Sequence, residues 1–163
     1  RTMHDWTLDE ASTEEVVKHA LDLGINFFDT ASGYSAGTGE EYLGKALKRS
    51  IARDKVVLAS KVYFNPGRLS RAAIHREIDG TLRRLGTDYL DLYIIHRFDY
   101  ETPIEETMEA LNDLVKAGKS ALPGGRAGTH SDLQADECCA YSVQSACGRQ
   151  TVPYRLARRY KAK

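Results

Sequence analysis

Ile25-Asn26-Phe27-Phe28-Asp29-Thr30-Ala31-Ser32-Gly33-Tyr34 sets the organisation of the chain. A short, mostly apolar run stops abruptly at an acid, and a polar, glycine-containing loop then delivers a tyrosine. Apolar residues closed by an ionisable one form the pattern of a buried parallel strand whose last side chain emerges into a site. Two later runs repeat it: Val56-Val57-Leu58-Ala59-Ser60 stops at Lys61, and Leu92-Tyr93-Ile94-Ile95 stops at His96. Taken singly, each residue has a plain reading. Asp29 is a strand-end acceptor, Lys61 a solvated charge, Tyr34 a packed loop aromatic, and His96 a structural hydrogen bonder. Standing in order at three successive strand ends, the four point to chemistry.

Between these runs the spacing predicts helices. Ser12-Thr13-Glu14-Glu15 has the form of a capping box. It opens a helix to about Leu23 with Val16, Val17, Ala20 and Leu21 facing inward, and Gly24 stops it. Thr38-Gly39-Glu40-Glu41 repeats the cap before a helix running to about Ser50. Ser70 caps a third, in which Ile74, Ile78, Leu82 and Leu85 recur at helical spacing before Gly86. Thr102-Pro103-Ile104-Glu105 opens a fourth, with Ile104, Met108, Leu111 and Val115 as the buried stripe and Gly118 after the last turn. The order α-β-α-β-α-β-α implies crossover units and a parallel α/β sheet, doubly wound or a barrel, and both bind ligands beyond the carboxyl ends of their strands. No GxGxxG follows a strand, so the dinucleotide fingerprint of the doubly wound fold is absent. Gly33, Gly37 and Gly39 lack that spacing and read as loop flexibility.

The 163 residues suit one domain, and 42% hydrophobic content supplies a core. Twenty-three basic residues balance 23 acidic ones, leaving no electrostatic footprint for nucleic acid. No apolar run approaches the roughly 18 residues of a membrane span. Arg1 to Trp6 lack the apolar core of a signal peptide, so a cytoplasmic location is expected. Cys138, Cys139 and Cys147 form neither a disulfide framework nor a metal box, and no metal is expected. After Lys119 the periodicity is lost. Leu122-Pro123-Gly124-Gly125 follows, no strand is legible near residue 120, and the end is basic. The chain therefore divides into residues 1–119 and an unassigned segment, 120–163, expected to pack poorly.

Asp29, Tyr34, Lys61 and His96, in this context, resemble the aldo-keto reductase superfamily, in particular bacterial and fungal members related to potassium-channel β subunits. The stretches that carry the resemblance are Gly24 to Tyr34, Glu40-Glu41-Tyr42-Leu43-Gly44, Leu58-Ala59-Ser60-Lys61, Arg84 to Tyr93 with His96, and Thr102 to Leu111. Together they cover roughly residues 8–119. The resemblance implies a (β/α)8 barrel that reduces small-molecule carbonyls with NADPH. Asp29, Tyr34, Lys61 and His96 would be its catalytic residues, with Asp29 also at the cofactor and His96 and Arg97 at the substrate.

The residue types suit that chemistry. Reducing a carbonyl needs a hydride donor, a proton donor for the developing alkoxide and a group that polarises the oxygen. A free tyrosine has a pKa near ~10, so a cation such as Lys61 would favour its phenolate, with Asp29 orienting the lysine. A complete barrel takes about 250 residues. Three parallel strands with flanking helices are legible here, so a partial, open barrel is expected. No counterpart is legible for the family's initial strand, its fifth strand, the aromatic that stacks on nicotinamide, or the 2′-phosphate pocket. The expected function is a fragment of an NADPH-dependent carbonyl reductase, impaired or inactive alone. The alternative is a non-catalytic binding or oligomerisation module of the same lineage. Exposed sheet edges would favour self-association.

Overall fold

The parallel sheet forms, and its three strands follow chain order. The computed structural model describes residues 7–121. The elements are α1 (Glu10–Asp22), β1 (Phe27–Asp29), α2 (Thr38–Ser50), β2 (Val57–Val62), α3 (Arg71–Leu85), β3 (Leu92–Ile95) and α4 (Ile104–Lys116). β1 pairs with β2 through Phe27↔Val57 to Asp29↔Ala59, and β2 with β3 through Ala59↔Leu92 to Val62↔Ile95, all parallel. The sheet is open rather than closed among the described residues, an α/β partial barrel. No described helix is long and apolar enough to cross a membrane.

Alternation along the strands separates two faces. Phe28, Leu58, Val62, Tyr93 and Ile95 join the core with Leu43 and Leu47 of α2 and Ile74, Ile78 and Leu82 of α3. Phe27, Asp29, Val57, Ala59, Lys61, Leu92 and Ile94 occupy the other face. β2, flanked on both edges, is the buried strand expected. β1 is not: Ile25 and Phe27 are 48% and 51% exposed. Among the described residues β1 is the sheet's outer strand, so nothing pairs with or covers its far side.

The helix starts differ from their predicted caps. Asp9, not Ser12, caps α1; its Oδ1 accepts from the Ser12 N–H at 2.8 Å. Asp9 is extended, and its carboxylate is an acceptor already aimed at the first turn. Val17 is buried and Val16 is 56% exposed, since neighbours on a helix point about 100° apart and α1 docks along one line. α2 begins at Thr38 from a left-handed Gly37, and neither it nor α3 receives a side-chain cap bond. At α4 the cap position is Pro103, and the Thr102 hydroxyl donates instead to Asp99 Oδ2 at 2.8 Å. The fully buried line of α4 is Thr107, Ala110, Leu111 and Leu114, and Ile104, Met108 and Val115 flank it half-buried. The Thr107 hydroxyl can sit in that line because it donates to the Leu69 carbonyl at 3.1 Å.

The βα rhythm continues past α4. Ser120 makes a parallel bridge to Leu90: the Leu90 N–H donates to Lys119 O at 3.0 Å, and the Ala121 N–H to Leu90 O at 2.7 Å. No strand was legible here because one bridge needs only backbone groups and leaves no side-chain alternation. The rest of the segment expected to pack poorly, residues 122–163, lies outside the described residues.

α2 meets the backbone at the end of α3 at Gly44, where a Cβ would fall 2.3 Å from the Leu85 carbonyl oxygen. Backbone cannot yield as a flexible side chain does. Gly44→Ala is expected to cost about 1–3 kcal/mol of stability, measured as a lowered urea midpoint at unchanged m-value.

Candidate active site

Parallel register brings three chain-distant side chains to one end of the sheet. Asp29 ends β1, Lys61 lies one residue from the end of β2, and His96 follows β3, its N–H donating to Val62 O at 3.0 Å. Asp29 and Lys61 share a face because Asp29 pairs with Ala59 and Lys61 stands two residues beyond. Lys61 Nζ donates to the Asp29 carboxylate, to Thr30 O at 3.0 Å and to the Tyr34 hydroxyl at 3.5 Å. An ammonium has three donors, and these contacts fix its direction. The Lys61 side chain is only 15% exposed and that of Asp29 43%.

Tyr34 reaches the lysine because its loop is tied down and then turned sharply. The Ser32 N–H and hydroxyl both donate to Lys61 O, at 3.3 and 3.1 Å, and the Tyr34 N–H donates to Ala31 O at 3.0 Å. Ser35, Ala36 and Gly37 then follow with φ of 49°, 54° and 93°, a left-handed run between Tyr34 and α2. Residues without a glycine's freedom cost on the order of 1–3 kcal/mol each in such conformations. Gly37 is thus no flexible spacer, contrary to the loop reading. It is a required left-handed position.

His96 lies edge-on to Tyr34, with ring centroids 5.8 Å apart, and edge-on to Phe64 at 4.9 Å. Burial pushes its pKa below the ordinary histidine range, and the Lys61 and Arg97 cations push the same way against Asp29. A neutral imidazole results, able to donate one N–H to an oxygen. Arg97 is exposed, and its guanidinium stands 5.1 Å from the Phe64 ring centroid. The structure thus gathers Asp29, Tyr34, Lys61 and His96, with Arg97 at the margin. The sequence reading missed Phe64, which joins His96 to Arg97. The aromatic pair Tyr63-Phe64 just past a strand end was its one visible signal. A groove of about 720 Å³ between α2 and α3, lined by Leu47, Ile51, Val56 and Leu82, touches none of the four.

Residues 2–131 match the Aldo/keto reductase family. The chain belongs to that family. An aldo-keto reductase of Fusarium vanettenii is 43% identical over 142 residues, covering 69% of this chain and 38% of that protein. The versiconal hemiacetal acetate reductase of Aspergillus parasiticus is 41% identical over 143 residues, covering 73% and 41%. Among solved structures, an aldo/keto reductase from Klebsiella pneumoniae in complex with NADP and acetate is 40% identical. It superposes with a TM-score of 0.63 and covers 68% of this chain and 38% of that one. The chain thus spans about two-fifths of the length of these aldo-keto reductases.

The electrostatics of His96 are testable. Folding lowers its proton affinity, so His96 contributes nothing to pH dependence above the unfolded value near 6.5. As pH falls below that value the unfolded chain takes up the proton first, and the fold loses stability. The titration midpoint of His96, followed by NMR, is expected below 6.5. Lys61→Met should raise it by removing a nearby cation. A midpoint that stays put or falls in the variant would contradict the arrangement.

Proposed function

We propose that this chain carries the proton-transfer site of an NADPH-dependent aldehyde or ketone reductase, and that it turns over little by itself. One observation carries the reading: Lys61 Nζ is held between the Asp29 carboxylate and the Tyr34 hydroxyl. A substrate carbonyl oxygen placed between the Tyr34 hydroxyl and the His96 ring would meet two donors. NADPH, when bound, supplies a hydride to the carbonyl carbon. Tyr34 gives its proton to the oxygen as negative charge develops there, and the Lys61 cation beside it balances the phenolate left behind. Asp29 keeps the ammonium aimed. Neutral His96 donates to the same oxygen and sets its angle. Phe64 and Arg97 border the mouth where the rest of the substrate would lie.

These side chains fit the reacting end of the cofactor, and Asp29 would border the nicotinamide. The adenine and phosphate end requires a cradle that these residue types do not supply, which supports assigning it to other parts of a complete barrel. Orienting a hydride donor can account for about 7–11 kcal/mol of a barrier, so proton-transfer residues alone accomplish little.

The assay follows NADPH oxidation with a nitro-substituted benzaldehyde. The isolated chain is expected to show no turnover above the uncatalysed rate, and robust turnover abolished by Tyr34→Phe would refute the impaired state. Residues 8–119 grafted in place of the matching stretch of a full-length relative should support turnover. There Tyr34→Phe should cut kcat about 10²–10⁴-fold. Unchanged kcat in that chimera would remove Tyr34 from the mechanism.

A further inference from the structure

Directly behind the four site residues lies a buried polar network that the chemistry above does not use. Glu40, in the first turn of α2, is wholly buried (0% exposed). Its Oε1 accepts from the Ser60 hydroxyl at 2.5 Å and its Oε2 from Arg84 Nε at 2.6 Å. Arg84 Nη2 also donates to Thr81 Oγ1 at 3.3 Å. Buried ion pairs are poor stabilisers, since desolvation offsets much of their attraction. Holding geometry is the better account of one placed here.

Two members of the network adjoin the reactive groups. Ser60 precedes Lys61 on β2, so anchoring Ser60 to Glu40 from the helix face sets the strand that presents Lys61 on the opposite face. The Arg84 stem fills the space beside Gly37, where an added Cβ would sit 2.8 Å from Arg84 Cδ and 3.0 Å from Nε. Gly37 ends the left-handed run that starts after Tyr34, and a Cβ on Gly39 would lie 3.3 Å from Tyr34 Cβ. One carboxylate therefore ties the strand behind Lys61 to the arginine packed against the Tyr34 turn.

We propose that Glu40, Arg84 and Ser60 are positioning residues that hold Tyr34 in register with Lys61 and His96. The network touches no reacting atom; it acts through the backbone on either side. Its chemical meaning rests on the reductase reading of the site, but its geometry is testable without cofactor or turnover. A failed reductase assay therefore leaves this test standing, and the reverse also holds.

The decisive variant replaces the whole network by apolar groups of similar volume: Glu40→Met, Arg84→Met and Ser60→Ala together. Such replacements of buried pairs are often neutral for stability, so a merely space-filling role predicts a folded chain with an unaltered site. The proposal predicts a cooperatively unfolding chain in which the NMR contacts between the Tyr34 and His96 rings, and between Lys61 and Tyr34, are lost. Native contacts in the folded variant would overturn it. If the triple variant does not fold, Arg84→Lys decides. It keeps a cation and the aliphatic stem but loses the planar guanidinium, with the Nε that donates to Glu40 and borders the space at Gly37. Loss of the same contacts supports the proposal, and their retention overturns it.

Discussion

The register of β2 is the constraint on which the rest depends. It is the central strand of the three, and its side chains carry opposite duties at alternate positions. Leu58, Ser60 and Val62 must face the helices, where Leu58 and Val62 enter the core and Ser60 meets Glu40. Lys61 must face the other way to reach Asp29 and Tyr34. A slip of one residue would exchange the two sets, burying an ammonium among leucines and dissolving the site at once.

Carboxylates reinforce that register at both ends. Near the start of the strand, Asp91 Oδ2 accepts from the Leu58 N–H at 2.9 Å and from Arg53 Nη2 at 2.6 Å. Arg53 in turn stacks its guanidinium 3.9 Å from the Tyr89 ring centroid. At the far end Asp29 holds Lys61. Between them Glu40 takes the Ser60 hydroxyl. The strand is short, and these side-chain bonds add direction to a ladder whose backbone bonds alone would tolerate sliding.

A fourth acid organises the approach to α4. Asp99 is 4% exposed and accepts from the Leu69 N–H at 3.3 Å, the Glu101 N–H at 3.1 Å and the Thr102 hydroxyl. Burial opposes its charge, but those donors and Arg68 hold its carboxyl below the usual carboxylate range. Asp99 follows His96 by three residues, so it anchors the loop leaving the site. This also explains why Thr102, which has every sequence attribute of a helix cap, does not act as one. The cap position falls one residue later, on Pro103, and the Thr102 side chain is turned back toward the buried Asp99.

The sequence alone determined the alternation of strands and helices, their parallel order and the common end at which Asp29, Lys61 and His96 emerge. Each follows from local information: apolar runs of strand length, helical spacing of leucine and isoleucine, and glycines just past the last turns. It also placed Tyr34 among them through the motif it shares with a known family. Tertiary structure decided the rest. Which of Val16 and Val17 is buried, whether Ser12 or Asp9 caps α1, and which line of α4 turns inward all depend on the neighbouring element. β1 looked buried because its residues are apolar, but exposure depends on what lies beside a strand. Glu40 and Arg84 were visible only as a cap and a charge, because a buried ion pair between residues 44 positions apart leaves no periodic trace. The parallel bridge at Ser120 left none either, since it is made by backbone groups that every residue carries.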